Sequence, residues 1–326
     1  MPVPIALIVV SVLLQAGAEG FLSGRLDVTA SLRLSFLAFL GTTVIFAAIT
    51  RLRGRSGHRP RAMAEQRRQV RHLLWSMNLA SAVTFLGFYL AMAWVPAALA
   101  ASLVAGVGPL AVLLMGAVRG TNPSGPAGWA RAVLLLVVSV VAASCIQPGS
   151  LWGAGYRGYA GGALAALAGF SAAYLAVVSR RLGELGVEPA RVMAHRFHLT
   201  YALAAVFLVL RGAGGASELS LGATAVTALG GVVVPLYLLQ IGVQRCPPIV
   251  TMVLLTALPG LTYVAQVAFG DVFRPAAALA VVLLVALTVG FALMESRPRR
   301  EVRSGPGALS GPRDRAEHTA PAEAHP

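Results

Sequence analysis

Charged side chains inside long apolar stretches are the residues of this sequence most able to do chemistry. Arg33 and Arg196 each lie within an apolar stretch long enough to span a bilayer, and Glu19 lies toward the end of the first such stretch. Because a charge in a hydrophobic segment is expensive, a functional role is the default hypothesis. The arginines could bind an anion or act as gates, and Glu19 could carry a proton or bind a cationic substrate. The alternative is that each side chain reaches a nearby polar interface.

His195 and His198 flank Arg196 and share a helix face. Histidine titrates near physiological pH, so the pair could couple protons to a transport cycle, or could simply lie at an interface. We find too few further ligands for a metal site, and we predict no cofactor. The sequence contains no HExxH, GxSxG or Walker A motif, so we predict no catalytic residues and no direct use of ATP.

Two glycine–proline pairs interrupt apolar stretches at matching places, Gly108-Pro109 and Pro259-Gly260. A proline inside a helix removes a backbone hydrogen bond and kinks the helix. Freed carbonyls at membrane depth are tolerated where they line a cavity, so we predict that both pairs line a transport route. Ordinary packing kinks are the alternative.

Uncharged polar side chains within the apolar stretches add further candidates. Gln15 and Gln240 need hydrogen-bonding partners, which an aqueous cavity would supply, and we predict that both line one. Tyr89 and Tyr237 occupy matching positions in the two halves of the sequence. They could stack on a substrate or serve as packing residues.

The composition predicts that these residues sit in a membrane protein. Hydrophobic residues make up 57% of the chain and charged residues 12%, and the mean hydropathy is +0.76. Soluble domains carry roughly 25% charged residues. Ten continuous apolar segments are long enough to span a bilayer, so we predict an all-α polytopic membrane protein with ten transmembrane helices. The segments are Val3–Phe21, Ala30–Thr50, His72–Trp94, Pro96–Val118, Ala127–Ile146, Gly158–Val178, Val192–Leu210, Ala223–Val243, Pro248–Phe269 and Pro275–Met294.

The arginines predict the orientation of these segments. Of the 26 basic residues, 20 fall in one set of connections and the tail, and four fall in the other set. By the positive-inside rule the basic side is cytoplasmic, which places both termini inside a multi-pass cell-membrane protein. The loop from Arg51 to Arg71, most of which is the linker Arg51–Gln69, contributes eight of these arginines. Since topology accounts for the net charge of +14, we predict no nucleic-acid partner.

An internal repeat divides the chain into two five-helix halves, residues 3–147 and 157–294, followed by a tail, 296–326, that we expect to be disordered. Segment Phe88–Leu110 reads FYLAMAWVPAALAASLVAGVGPL, and Leu236–Leu261 reads LYLLQIGVQRCPPIVTMVLLTALPGL. An odd number of helices per half places the second half upside down relative to the first. Inverted repeats are typical of transporters that alternate access around a central site.

Three motifs and their counterparts in the second half carry a family resemblance. They are an arginine in the second predicted helix (LRLSFLAF), a tight turn between the third and fourth (FYLAMAWVPAALAASL), and a Gly-Pro pair in the fourth (GVGPL). The pattern resembles the ten-helix EamA-type members of the drug/metabolite transporter superfamily. The resemblance implies a secondary transporter that moves a small metabolite, amino acid or drug, often outward. A membrane-embedded lipid-acting enzyme and a non-transporting scaffold subunit are the alternatives, and a homodimer stays open.

Overall fold

The computed structural model describes residues 2–54, 64–120, 125–146, 155–211 and 220–296. These residues form helices and no strand. In the first half of the chain the helices are α1 (Pro2–Leu22), α2 (Val28–Gly54), α3 (Ala64–Ala91), α4 (Ala97–Val118) and α5 (Pro126–Ile146).

Several segments of the second half are interrupted and divided into shorter helices. They are α6 (Gly155–Glu184), α7 (Pro189–His195), α8 (His198–Arg211), α9 (Leu221–Val226), a π-helix (Thr227–Val233), α10 (Val234–Arg245), α11 (Pro248–Leu255), α12 (Leu258–Ala268) and α13 (Pro275–Ser296). Three pairs or groups continue one another as single crossings: α7 with α8, α9 with the π-helix and α10, and α11 with α12.

Within the described residues, eight segments are long and apolar enough to cross a membrane. The protein is therefore an all-α, multi-pass membrane protein, as the hydropathy predicts. Helices also occupy the fifth and tenth predicted segments, but the apolar stretches described there, Pro126–Ala142 and Pro275–Leu287, are shorter. Large aliphatic side chains such as Leu79, Val209 and Leu279 are exposed on the outside of the bundle, which suits contact with lipid.

The helix boundaries differ from the sequence prediction mainly at α3. This helix begins at Ala64 rather than His72, so the last part of the linker expected over Arg51–Gln69 is helical. Its first turns, AEQRRQVR, are rich in strong helix formers, and Glu65 lies in the first turn where the helix dipole favours a carboxylate. The first four residues of that linker, 51–54, are helical as the end of α2. The middle of the linker, residues 55–63, and the tail, residues 297–326, lie outside the described residues.

Close packing between helices depends on small residues. At Gly20 of α1, a Cβ atom would lie 2.4 Å from the Cβ of Ala265 in α12. At Gly169 of α6, a Cβ atom would lie 2.7 Å from the carbonyl oxygen of Val104 in α4. Only glycine fits at either position, and the absence of a side chain lets each helix pair approach closely.

The contacts between helices follow a pattern across the two halves. Helix α1 packs against α10 and α12, and α6 packs against α3 and α4. Helix α2 packs against α7 and α8, α4 packs against α11 and α12, and α5 packs against α13. At the centre, aromatic rings from different helices stack: the ring centroids of Phe39 and Phe197 are 4.7 Å apart, and those of Phe39 and Phe85 are 5.0 Å apart.

Candidate functional site

A break between α7 and α8 brings several buried polar groups together inside the bundle. In an uninterrupted helix the backbone N–H of Leu199 would donate to the carbonyl oxygen of His195. Instead, the side-chain amide of Asn78, in α3, is the hydrogen-bonding partner of both backbone groups. Its Nδ2 donates to the His195 carbonyl oxygen, and its Oδ1 accepts from the Leu199 N–H at 3.0 Å. The backbone groups released by the break are thus satisfied inside the protein, as membrane depth requires.

Arg196 lies in this break, and its side chain is only 6% exposed. Its Nε donates to Ser81 Oγ at 3.2 Å, and its Nη1 donates to Gln240 Oε1 at 2.6 Å. The guanidinium carbon lies 4.8 Å from the ring centroid of Phe197 and 5.7 Å from that of Phe85. Both partners are neutral, and no carboxylate forms an ion pair with Arg196 within the described residues.

Gln240, on α10, is 1% exposed and holds the other end of this contact. Its Oε1 accepts from Arg196 and, at 3.5 Å, from Ser179 Oγ. A guanidinium has only donors, so the amide oxygen must face it, and this fixes the orientation of the amide. Its Nε2 then has no hydrogen-bonding partner in the part of the chain that the structure describes.

These groups form part of the wall of an internal cavity of about 110 Å³. The hydroxyl of Thr84 is also in this wall, and like Gln240 Nε2 it has no partner among the described residues. Helices α1, α3, α4, α6, α10, α11 and α12 contribute to the wall, so both halves of the chain enclose the cavity. Much of the remaining surface is apolar and aromatic. The polar side chains in the wall include Gln15, Glu19, Thr84, Ser179, Arg196 and Gln240.

Glu19, on α1, is a second buried charged side chain of this wall and is 6% exposed. Thr262 Oγ1 donates to its carboxyl group at 3.0 Å, and no basic residue pairs with it within the described residues. Gln15 lies one turn earlier on α1, and its amide donates to Ser11 Oγ at 2.8 Å. A smaller neighbouring cavity is lined by Gln15, Glu19 and Tyr89, so this end of the site meets both cavities.

The two predicted tyrosines and Arg33 lie outside the wall of the main cavity. Tyr89 is buried in the wall of the smaller cavity, whereas Tyr237 is partly buried and packs its ring 4.6 Å from that of Phe46. Arg33 is half-buried in α2, outside both cavity walls. The sequence match between the tyrosines therefore does not correspond to a matching environment.

The glycine–proline pairs lie outside both cavity walls, contrary to our expectation. Gly108 faces Met252, whose Sδ would lie 3.0 Å from an added Cβ, and α4 runs unbroken through Pro109. Pro259 lies in the first turn of α12, where a missing N–H costs nothing, and Gly260 packs against Val281 of α13. Packing between helices explains these four residues because each one is buried against another helix or at a helix start.

His195 and His198 are exposed on the outside of the bundle, and their ring centroids are 6.0 Å apart. His198 Nδ1 contacts the Tyr201 hydroxyl at 3.1 Å. Neither ring reaches the cavity wall. Among the described residues, no group of three or more His, Cys, Asp or Glu side chains could hold a metal ion.

Sequence reasoning did not single out Ser81, Thr84 and Ser179, which surround Arg196 and Gln240. Hydroxyl side chains are common in apolar helices and usually bond a carbonyl of their own helix, as Ser35 and Ser102 do here. Hydrogen bonds to distant segments distinguish Ser81 and Ser179 from these, and its place in the cavity wall distinguishes Thr84.

Comparison with known proteins identifies a solved structure with a similar fold. No family model and no curated protein matches the sequence. One crystal structure, described only as "Crystal structure of protein", is similar with a TM-score of 0.66 and 22% sequence identity. The similarity covers 93% of this chain and 99% of that chain. It shows a shared fold over nearly the whole length of both proteins.

Proposed function

We propose that this protein is a secondary transporter that exports a small metabolite across the cell membrane by alternating access. The observation that carries the proposal is the internal cavity, which helices of both halves enclose and into which buried polar and charged groups project. Buried polar groups without partners are costly, and a polar ligand or water would satisfy them.

The packing of the helices supports an inverted repeat of two five-helix halves. If each helix of the first half has a counterpart five crossings later, the contacts of α1 with α10 and α12 correspond to those of α6 with α3 and α4. The contacts of α2 with α7 and α8, of α4 with α11 and α12, and of α5 with α13 then join each helix to its own counterpart. A pseudo-two-fold axis in the membrane plane produces this pattern, and transporters use such an axis to exchange two conformations.

Ten crossings with both termini in the cytoplasm complete the proposed topology. Helices α5 and α13 would be the fifth and tenth crossings, and their mutual contact supports giving them equivalent places. The arrangement is the one implied by the resemblance to EamA-type members of the drug/metabolite transporter superfamily, to which we assign the protein as part of this proposal.

Interrupted helices near the cavity also support transport. The break around Arg196, the π-helix over Thr227–Val233 and the break between α11 and α12 lie in three successive crossings. Discontinuous helices next to a central cavity are common in secondary transporters because they expose backbone groups and permit local rearrangement. Neither a lipid-acting enzyme nor a scaffold subunit requires them.

Solute flux in liposomes tests the proposal. The purified full-length protein would be reconstituted, and counterflow measured for a broad panel of amino acids, organic acids and drug-like compounds. Ala172→Phe, which fills the cavity from α6, should abolish counterflow. Ala163→Phe adds the same bulk to an exposed position of α6 and should leave flux unchanged. Folded protein that moves no solute in the panel would refute the proposal and favour the scaffold or enzyme alternatives.

A further inference from the structure

We infer that the substrate carries a carboxylate group that binds between Arg196 and Gln240. This inference rests on the proposed transport function and specifies the substrate class of the same cavity. It depends on two independent features of the described residues, a buried cation with neutral partners and a buried amide with unused donors.

The first feature is the guanidinium of Arg196. A guanidinium has five N–H donors in a rigid fork. The hydrogen bonds to Ser81 and Gln240 involve Nε and Nη1, and Nη2 makes none within the part of the chain that the structure describes. A buried charge without a counter-ion is strongly unfavourable, and the side chain lines a cavity that could admit one. The rings of Phe85 and Phe197 hold the guanidinium in place.

The second feature is Nε2 of Gln240, which carries two N–H donors and contacts no acceptor among the described residues. Because Gln240 Oε1 faces Arg196, this amide nitrogen lies beside the guanidinium as an additional donor. A ligand group that meets both must be rich in acceptors and negatively charged. A carboxylate, with two oxygens that can accept from a guanidinium and an amide together, matches this arrangement.

The rest of the wall favours a carboxylate over a phosphate or another dianion. Arg196 is the one basic residue in the described wall, and Glu19 places a carboxyl group in the same wall. A dianion would therefore be left with uncompensated charge and would be repelled by a charged Glu19. The apolar surface from Phe88, Met252 and Leu255 suits a hydrocarbon or aromatic body attached to the carboxylate.

Matched ligand pairs test the inference directly. Binding to the full-length protein in nanodiscs would be measured by isothermal titration for carboxylic acids and for their primary amides. The panel contains 3-phenylpropanoate, 4-methylpentanoate, L-phenylalanine and L-leucine, each with its own amide. We expect at least one acid to bind about tenfold or more tightly than its amide, because only the acid makes charge-assisted hydrogen bonds.

Two variants assign the preference to this site. Arg196→Gln should abolish the preference for the acid. Gln240→Glu keeps an oxygen facing Arg196 but places a negative charge at the site, so it should also abolish acid binding while preserving the contact. Gel filtration and unfolding temperature without ligand would verify that both variants are folded. Arg196→Lys should retain part of the preference for the acid, since lysine keeps the positive charge but lacks the forked donors of a guanidinium.

The outcomes separate this inference from the transport proposal. If amides bind as tightly as their acids, if neither variant changes acid binding, or if no acid in the panel binds, the inference is wrong. Counterflow of other solutes would then leave the transport function intact. If an acid binds in a manner that depends on Arg196 and yet no solute crosses liposomes, the site is correct and the transport proposal fails.

Discussion

The two halves of the chain, which the proposed repeat makes equivalent, differ in the continuity of their helices. Helices α2, α3 and α4 run without interruption, and α4 does so even through Pro109. In the proposed repeat, their counterparts five crossings later are divided by the Asn78-bridged break, by a π-helix and by the step from α11 to α12. The irregular backbone is therefore concentrated in the second half of the chain.

Arg33 and Arg196 illustrate this difference in helix continuity. Arg33 lies in an unbroken helix, half-buried and away from the cavities, whereas Arg196 lies in a break and is buried in the cavity wall. Matching positions in the two halves of the sequence thus have different environments.

Replacing the two arginines should give the largest contrast. Arg196→Gln removes the buried cation of the cavity and should lower substrate counterflow in liposomes on the order of 100-fold, as expected for a buried charged contact. Arg33→Gln should change flux less than about twofold, within the range of ordinary surface substitutions. Comparable losses in the two variants, at equal amounts of folded protein, would show that both halves contribute a site.

Removing the side chain that bridges the break should destabilise the protein. Asn78→Leu leaves the His195 carbonyl and the Leu199 N–H unpaired, at a cost of about 1–3 kcal/mol for each buried group. Thermal unfolding in detergent would measure the loss. Ser76→Ala is the matched control on α3, because the Ser76 hydroxyl bonds only the Leu73 carbonyl of its own helix. An unfolding temperature equal to that of the control would mean that the break does not need Asn78.

If the two halves pack equally closely, substitutions at Gly20 and Gly169 should lower the free energy of unfolding by similar amounts. Replacing either residue by alanine forces a methyl group against a neighbouring helix and should destabilise the protein by about 1–3 kcal/mol. Gly17→Ala, where nothing lies within 4 Å of the added Cβ, should be neutral or slightly stabilising. Unfolding in detergent compares the three variants. A large effect at only one of the two glycines would contradict the equivalence of the two helix pairs.

The smallest expected effect concerns the matched tyrosines. Tyr89→Phe removes a hydroxyl from the smaller cavity, and we expect counterflow to fall by about two- to fivefold, since a neutral hydrogen bond contributes about 1 kcal/mol. Tyr237→Phe should leave counterflow unchanged because its ring packs against Phe46 outside both cavities. Equal effects would indicate that the repeat is functional at these positions too.

Hydropathy located the eight long apolar helices of the described residues, because a continuous apolar stretch of about twenty residues has few alternatives to a membrane-spanning helix. Arg196 and Gln240 could also be singled out from the sequence, because a charge or an amide in an apolar segment costs free energy unless it has a partner or a role. The break at Arg196 was not predictable, because residues 190–211 contain neither proline nor glycine. It depends on Asn78, which is 117 positions from His195 along the chain. Conversely, Pro109 and Pro259 suggested kinks that line the cavity, but both lie outside the cavity walls. Pro109 is inside the unbroken α4, and Pro259 is in the first turn of α12.

The amide of Asn78 also determines how the bundle can move. It bonds one residue on each side of the break, so α7 and α8 cannot change their mutual angle without pulling on α3. The break therefore couples α7, α8 and α3, and is not a free hinge between α7 and α8. Helix α3 carries Ser81, which bonds Arg196, and Thr84, which lies in the cavity wall, so bending at the break would also move this wall. In the proposed transport cycle, opening of the cavity and release of the bound group would therefore occur together.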